Sequence, residues 1–200
     1  MRRRPPTSRH SKTAPPGRVR IVAGKWRRRF VEVADLPELR PTSGRIRETL
    51  FNWLAPCIEG SRCLDLFAGT GVLGLEALSR GAREALLVER DARLAAMLTD
   101  TGQRLHAEAE AHVVRADALA FLRAPLYGRF DIVFVDPPFA DDVRVAVVAA
   151  LDPWLADAAW LYLESPDAVD PGPAWRLHRE SRTRDARHAL YRRVVEVAPG

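Results

Sequence analysis

The sequence predicts an α/β fold on a seven-stranded, mostly parallel sheet, and three observations predict it. From residue 61 onward, short apolar runs alternate with helical segments, the pattern of βα units. A Gly-x-Gly-x-x-Gly turn at Gly69, Gly71 and Gly74 follows the first of those runs, where a strand should hand over to a helix. Two final strand-like runs lie too close together for a crossover helix, so they should pair antiparallel at the end of the sheet.

The elements can be justified in chain order. Residues 1–17, rich in Arg, Pro, Ser and Thr, read as a disordered basic tail. Residues 18–33 interleave cations with Val19, Ile21, Val22, Trp26 and Phe30, as a strand pair with a basic face would. A Pro-containing connector follows, and Ser43 can cap a helix over 44–54 that puts Ile46, Leu50, Phe51 and Leu54 on one face before Pro56. These pieces make an N-terminal extension, 18–56, ahead of an α/β domain, 57–200. Within that domain the spacing predicts strands at 62–67, 85–89, 112–115, 130–135 and 159–164, helices at 72–80, 92–106, 118–122 and 143–151, and closing strands at 175–180 and 188–197.

Composition narrows the class. With 47% apolar residues, 200 residues can bury a full core. No run approaches the roughly 18 consecutive apolar residues of a membrane span, and no apolar segment follows the basic N-terminus as a secretory signal requires. Cys57 and Cys63 lack metal-ligand spacing and the five histidines are scattered, so no metal is expected. Two free thiols suit a reduced, cytoplasmic compartment. The net charge of +5 hides an asymmetry: residues 1–31 carry nine Arg and two Lys with no acid, while residues 32–175 are net acidic and the stretch after Trp175 is Arg-rich again. A basic arm on an acidic body points to a polyanion such as nucleic acid, or, for the first 17 residues, to a solubilising tail.

Around the glycine turn, Gly69 and Gly71 would let the backbone turn sharply and approach a ligand, and Gly74 would let the helix pack on its strand. Phe67, Ala68 and Thr70 share the turn. Glu89 and Arg90 follow about 20 residues on, as expected for a carboxylate that meets a ribose diol. Asp117 and Ala118 end the third strand, where Asp117 can reach an adenine amino group or simply cap a helix. Asp65 separates two cofactor classes. A carboxylate there would repel a pyrophosphate but attract the cationic amino-acid end of S-adenosylmethionine.

The other chemical signature is Asp136-Pro137-Pro138-Phe139, directly after the apolar run 131–135. Two prolines must end the strand at the carboxyl edge of the sheet, where ligands bind in open α/β folds. A carboxylate, a carbonyl before a residue with no N–H, and an aromatic ring suit a planar –NH2 group and the ring that bears it.

With these residues in place, the chain resembles the class I S-adenosylmethionine-dependent methyltransferases, which are Rossmann-like. Within them it resembles the RsmD family of bacterial 16S rRNA guanine-N2 methyltransferases. The resemblance rests on residues 20–24 (RIVAG), 40–52 (RPTSGRIRETLFN), 65–77 (DLFAGTGVLGLEA) and 136–139 (DPPF). It implies catalysis by Asp136, Pro137, Pro138 and Phe139, with the ring of Phe139 stacked on the target base. It implies S-adenosylmethionine bound by residues of the glycine turn, Glu89, Arg90, Asp117 and Ala118. Arg18, Arg20, Lys25, Arg27, Arg28, Arg29, Arg45 and Arg47 would then contact 16S rRNA, within the 30S subunit or a late assembly intermediate, with the enzyme a monomer. Arg45 and Arg47 could instead reach the cofactor's carboxylate or form a solvated helix face. The segment 181–187 departs from the family pattern. Two rivals remain on sequence grounds: a DNA adenine-N6 methyltransferase, which shares the Asp-Pro-Pro-aromatic motif, and a non-catalytic RNA-binding assembly factor on the same fold.

Overall fold

In the computed structural model, which describes residues 17–33, 42–138 and 143–194, the apolar runs form five parallel strands. They are β3 (Arg62–Asp65), β4 (Glu84–Glu89), β5 (Ala111–Arg115), β6 (Phe130–Val135) and β7 (Leu155–Ser165). The closing strands β8 (Trp175–Arg182) and β9 (Arg187–Arg193) are antiparallel, completing a seven-stranded sheet of order β5-β4-β3-β6-β7-β9-β8. β3 and β6 are adjacent at the centre although far apart in sequence, so their carboxyl ends lie side by side, the switch point where such sheets bind ligands. The run Ile132–Val135 is fully buried, as a continuous apolar stretch between two covered faces must be.

The final hairpin folds back so that its second strand, β9, pairs with β7 and leaves β8 as the outer edge. β7 is longer than the sequence suggested, beginning at Leu155. Ahead of the sheet, β1 (Arg18–Arg20) and β2 (Phe30–Glu32) form a separate antiparallel ribbon.

Helices α1 (Gly44–Leu54), α2 (Val72–Ser79) and α3 (Ala92–Leu105) cover one face, where Leu50, Phe51, Leu75, Leu78 and Leu98 join Ile132, Phe134, Tyr162 and Leu190 in one core. α4 (Ala118–Leu122), α5 (Arg144–Ala149) and Trp154 cover the other, against Leu64, Val133, Val135 and Leu161. Ser43 and Asp117 cap α1 and α4 as the sequence suggests, and Asp91 caps α3 in the same way, each accepting hydrogen bonding from the first turn. The basic ribbon is docked by a buried acid. Glu76 of α2 accepts the amides of Val22 and Ala23 at 2.9 and 3.0 Å, and Ser79 Oγ accepts that of Trp26 at 3.0 Å. Gly24 is obligatory at this junction, because a Cβ would lie 1.6 Å from the Ser79 carbonyl oxygen. No helix among the described residues is long and apolar enough to cross a membrane.

Candidate active site

The glycine turn is built from the end of β3. Gly69 and Gly71 have φ of 53° and 72°, values that favour glycine. Gly71 is held to that identity by its neighbour as well: a Cβ would come within 2.3 Å of Leu98 in α3. At Gly74 a Cβ would come equally close to Leu87 of β4, so this glycine sets the close approach of helix to strand. Glu89, 8% exposed, anchors the turn by accepting the Gly69 amide at 2.8 Å, and its other oxygen accepts Asp91 N–H at 2.8 Å. Glu89 therefore organises the backbone, with lone pairs to spare for a diol.

Asp65 is only 1% exposed. Its Oδ2 accepts the Gly74 amide at 3.3 Å, while Oδ1 has no hydrogen-bond partner among the described residues. Burial pushes this carboxyl up to about 7, against stabilisation by the Gly74 and Phe67 amides. A buried, unsatisfied carboxylate oxygen under a glycine turn is a site built for a cation. That is what the ammonium of S-adenosylmethionine would bring, so the residues present fit this cofactor. Ala118 is buried beside the third strand's end, and exposed Asp117 caps α4 through Ala120 N–H at 3.0 Å, so its capping role is realised. Arg90 is exposed next to Glu89.

Phe134 of β6 pairs with Asp65, and two residues on, just past the end of that neighbouring strand, stands Asp136, half-buried. Residues from three distant segments hold it and its neighbours. Thr42, buried just before α1, donates to Asp136 Oδ2 at 3.1 Å. Arg144 of α5, also buried, donates to the Pro137 carbonyl at 3.0 Å and to the Glu164 carbonyl at 2.8 Å. On β7, one register step beyond the Val135–Leu163 pair, stands Glu164, itself paired with His188 of β9. Tyr162 hydroxyl donates to Glu164 Oε2 at 3.0 Å, and His188 Nδ1 lies 3.2 Å from the same oxygen. Burial first, and then the charge of Glu164, holds the Asp136 carboxyl well above the ordinary carboxylate range, against the pull of Thr42 and Arg144. Such a carboxylate is more basic than a free one and better able to take a proton.

Sequence reasoning missed these supporting residues. Thr42 lay within the 40–52 signature with no site role of its own, while Arg144, Tyr162, Glu164 and His188 carried no motif. The one available signal was Glu164, an acid ending a strand in a row of strand ends.

Phe139 lies outside the described residues, as do residues 1–16 and the Arg40-Pro41 end of the second signature. Of the cations, Arg18, Arg20, Arg27, Arg28, Arg29 and Arg45 are exposed. Lys25 forms an ion pair with Glu110 and lies 4.4 Å over the Trp26 ring. Arg47 differs from expectation. It is 2% exposed and donates to the Arg20 carbonyl at 2.8 Å, so it ties α1 to the ribbon and does not face a polyanion. Its helix position faces inward on the same stripe as Leu50 and Leu54, and the charge alone concealed this. No group of residues suited to a metal occurs among the described residues.

A family model described as "conserved hypothetical protein 95" matches residues 19–192. The chain is 46% identical over 185 residues to the ribosomal RNA small subunit methyltransferase D of Escherichia coli K12, covering 90% of this chain and 92% of that one. It is 41% identical over 182 residues to the enzyme of the same name in Haemophilus influenzae, covering 88% and 94%. Among solved structures, a methyltransferase of Escherichia coli superposes with a TM-score of 0.82 at 44% identity, covering 90% of this chain and all of that one. A methylase of Haemophilus influenzae gives 0.77 at 38% identity, covering 89% and 99%.

Proposed function

The chain belongs to the family described as conserved hypothetical protein 95, the RsmD family, and on that premise we propose that it methylates the exocyclic N2 amine of one guanine in 16S rRNA. It is an S-adenosylmethionine-dependent rRNA methyltransferase. The observation that supports the finer reading is the pairing of strand ends, with the unsatisfied Asp65 carboxylate beside the supported Asp136-Pro137-Pro138 turn.

S-adenosylmethionine, when bound, supplies an electrophilic methyl on a sulfonium. The chain must make a poor nucleophile attack it, because the guanine N2 lone pair is delocalised into the ring. Thr42 engages only Oδ2 of Asp136, leaving Oδ1 to accept one N–H of the amine. The Pro137 carbonyl, with Arg144 on one lone pair, accepts the other. Held by both bonds, the nitrogen is drawn out of conjugation and its lone pair is aimed. The proton released from N2 passes to Asp136, whose raised affinity suits it to hold one. Phe139 would stack on the flipped base. The exposed cations of the ribbon and Arg45, three residues from the Thr42 contact, would hold the phosphate backbone around it. The substrate in this reading is rRNA in a 30S particle or late assembly intermediate, and the enzyme a cytoplasmic monomer.

The test is methyl transfer from labelled S-adenosylmethionine to 30S particles, protein-free 16S rRNA and duplex DNA, with the product nucleoside identified. N2-methylguanosine from the small-subunit substrate is expected. Label in DNA adenine, or cofactor binding without transfer to any of the three, would overturn the reading.

A further inference from the structure

The outer hairpin carries a second cluster of cations that the site does not use. β8 is the edge strand and is exposed along nearly its whole length. On the sheet face shared with α1, strand register places Trp160 of β7 beside Arg192 of β9, and Arg192 beside Arg176 of β8. Arg192 lies 5.7 Å over the Trp160 ring, and His178 meets the same ring edge-on at 4.9 Å. A register shift between Leu177 and Arg179 brings Arg179 onto this face opposite Leu190.

The arginines here differ from their neighbours. Arg187 is paired with Glu180 and Arg193 with Asp152, whereas Arg176, Arg179 and Arg192 are exposed and have no acidic partner among the described residues. Unpaired guanidinium groups around a half-exposed indole are what phosphates and unstacked bases require together.

The patch leads along β8 toward the reacting edge, Arg176 lying five residues and Arg179 two residues before Ser181. β8 runs parallel to β7, so its carboxyl end lies at the catalytic edge, where Ser181 pairs with His188 and His188 with Glu164, next to Asp136. The basic ribbon β1–β2 is docked over α2 and α3, on the other side of α1.

We propose that this face of the β7–β9–β8 hairpin is a second rRNA-contact surface, with Arg176, Arg179 and Arg192 on phosphates and Trp160 and His178 against a base. The rRNA strand then crosses the catalytic edge held from both sides. This rests on the rRNA methyltransferase reading and extends it to a segment on which the family motifs are silent.

The experiment measures binding of the full chain to protein-free 16S rRNA by fluorescence anisotropy across KCl concentrations, with S-adenosylmethionine affinity and thermal melting as controls of fold. For R176Q/R179Q/R192Q, Kd is expected to rise about tenfold at 150 mM KCl. The slope of log Kd against log salt should become shallower by about two, from three lost phosphate contacts at roughly 0.7 each. W160L should raise Kd several-fold with the slope unchanged, because stacking releases no counterions. Unaltered Kd and slope in the triple variant, with cofactor affinity intact, would overturn the proposal. So would a loss seen only on 30S particles and not on bare rRNA, which would assign the face to a ribosomal protein. The wild-type chain separates the two readings: rRNA bound but never methylated sinks the enzymatic reading while leaving the surface tested.

Discussion

Asp65 and Asp136 end adjacent central strands, yet they are held in opposite ways. Asp65 accepts within its own turn, from the Gly74 amide nine residues on, and its other oxygen has no hydrogen-bond partner among the described residues. Asp136 is held by Thr42, 94 positions away, and its neighbours Pro137 and Glu164 are tied together by Arg144. The first is held locally and the second by an assembled set of residues. On the proposed function, the first carboxylate would set cofactor affinity and the second the rate.

The largest expected effect breaks the pair apart. D136A should lower kcat by about 10³-fold while leaving S-adenosylmethionine affinity within about twofold, measured by single-turnover transfer and calorimetry. Equal losses in both quantities would collapse the distinction. D65N should do the reverse, weakening cofactor binding by about 10- to 100-fold with a smaller effect on the rate at saturation.

Asp65 also carries a pH signature. Its carboxyl sits at about 7, above the ordinary 3.8, so the folded chain binds an extra proton between those values. Stability of the cofactor-free chain should therefore fall as pH rises from about 4 to about 7 and level off above. Cofactor affinity should move the opposite way, tightening as pH rises through 7, because the ammonium needs the ionised carboxylate. Melting and calorimetry from pH 5 to 8.5 on wild type and D65N check both slopes, which D65N should flatten.

Smaller effects belong to the scaffold of Asp136. T42V removes the hydroxyl that donates to it and should cost about tenfold in kcat, with cofactor affinity unchanged. E164Q removes the neighbouring charge that raises Asp136, so the acid limb of the kcat profile should move to lower pH. An unmoved limb would mean that Glu164 serves only the packing of Tyr162 and His188.

This contrast also marks how far the chain could be read before it was folded. The strand, turn and helix start at 62–79 were legible because each requirement is local: apolar strand residues, glycines at positive φ, and a helix directly after. The strand into Asp136 was legible for the same reason. Arg47 was misread because a helical residue's exposure depends on what packs against it, here the Arg20 carbonyl of a ribbon whose docking rests on Glu76. Thr42, Arg144 and Glu164 were illegible as site residues, since the first two come from helix starts packed against the sheet and the third from a strand placed beside β6 only by the order β3, β6, β7, β9.

The sequence by itself determined the parallel α/β sheet, the glycine turn, the strand that ends at Asp136 and the basic charge of both ends. Those follow from hydrophobic period, glycine conformation and proline's missing N–H, all of which act within a few residues. Only the tertiary structure decided that Asp65 and Asp136 close neighbouring strands and that Thr42, Arg144 and Glu164 gather at the second. It also decided that Arg192, with no acidic partner among the described residues, lies over Trp160 and beside Arg176. Those facts depend on which strands hydrogen-bond to which, and that pairing is set by burying the whole core at once.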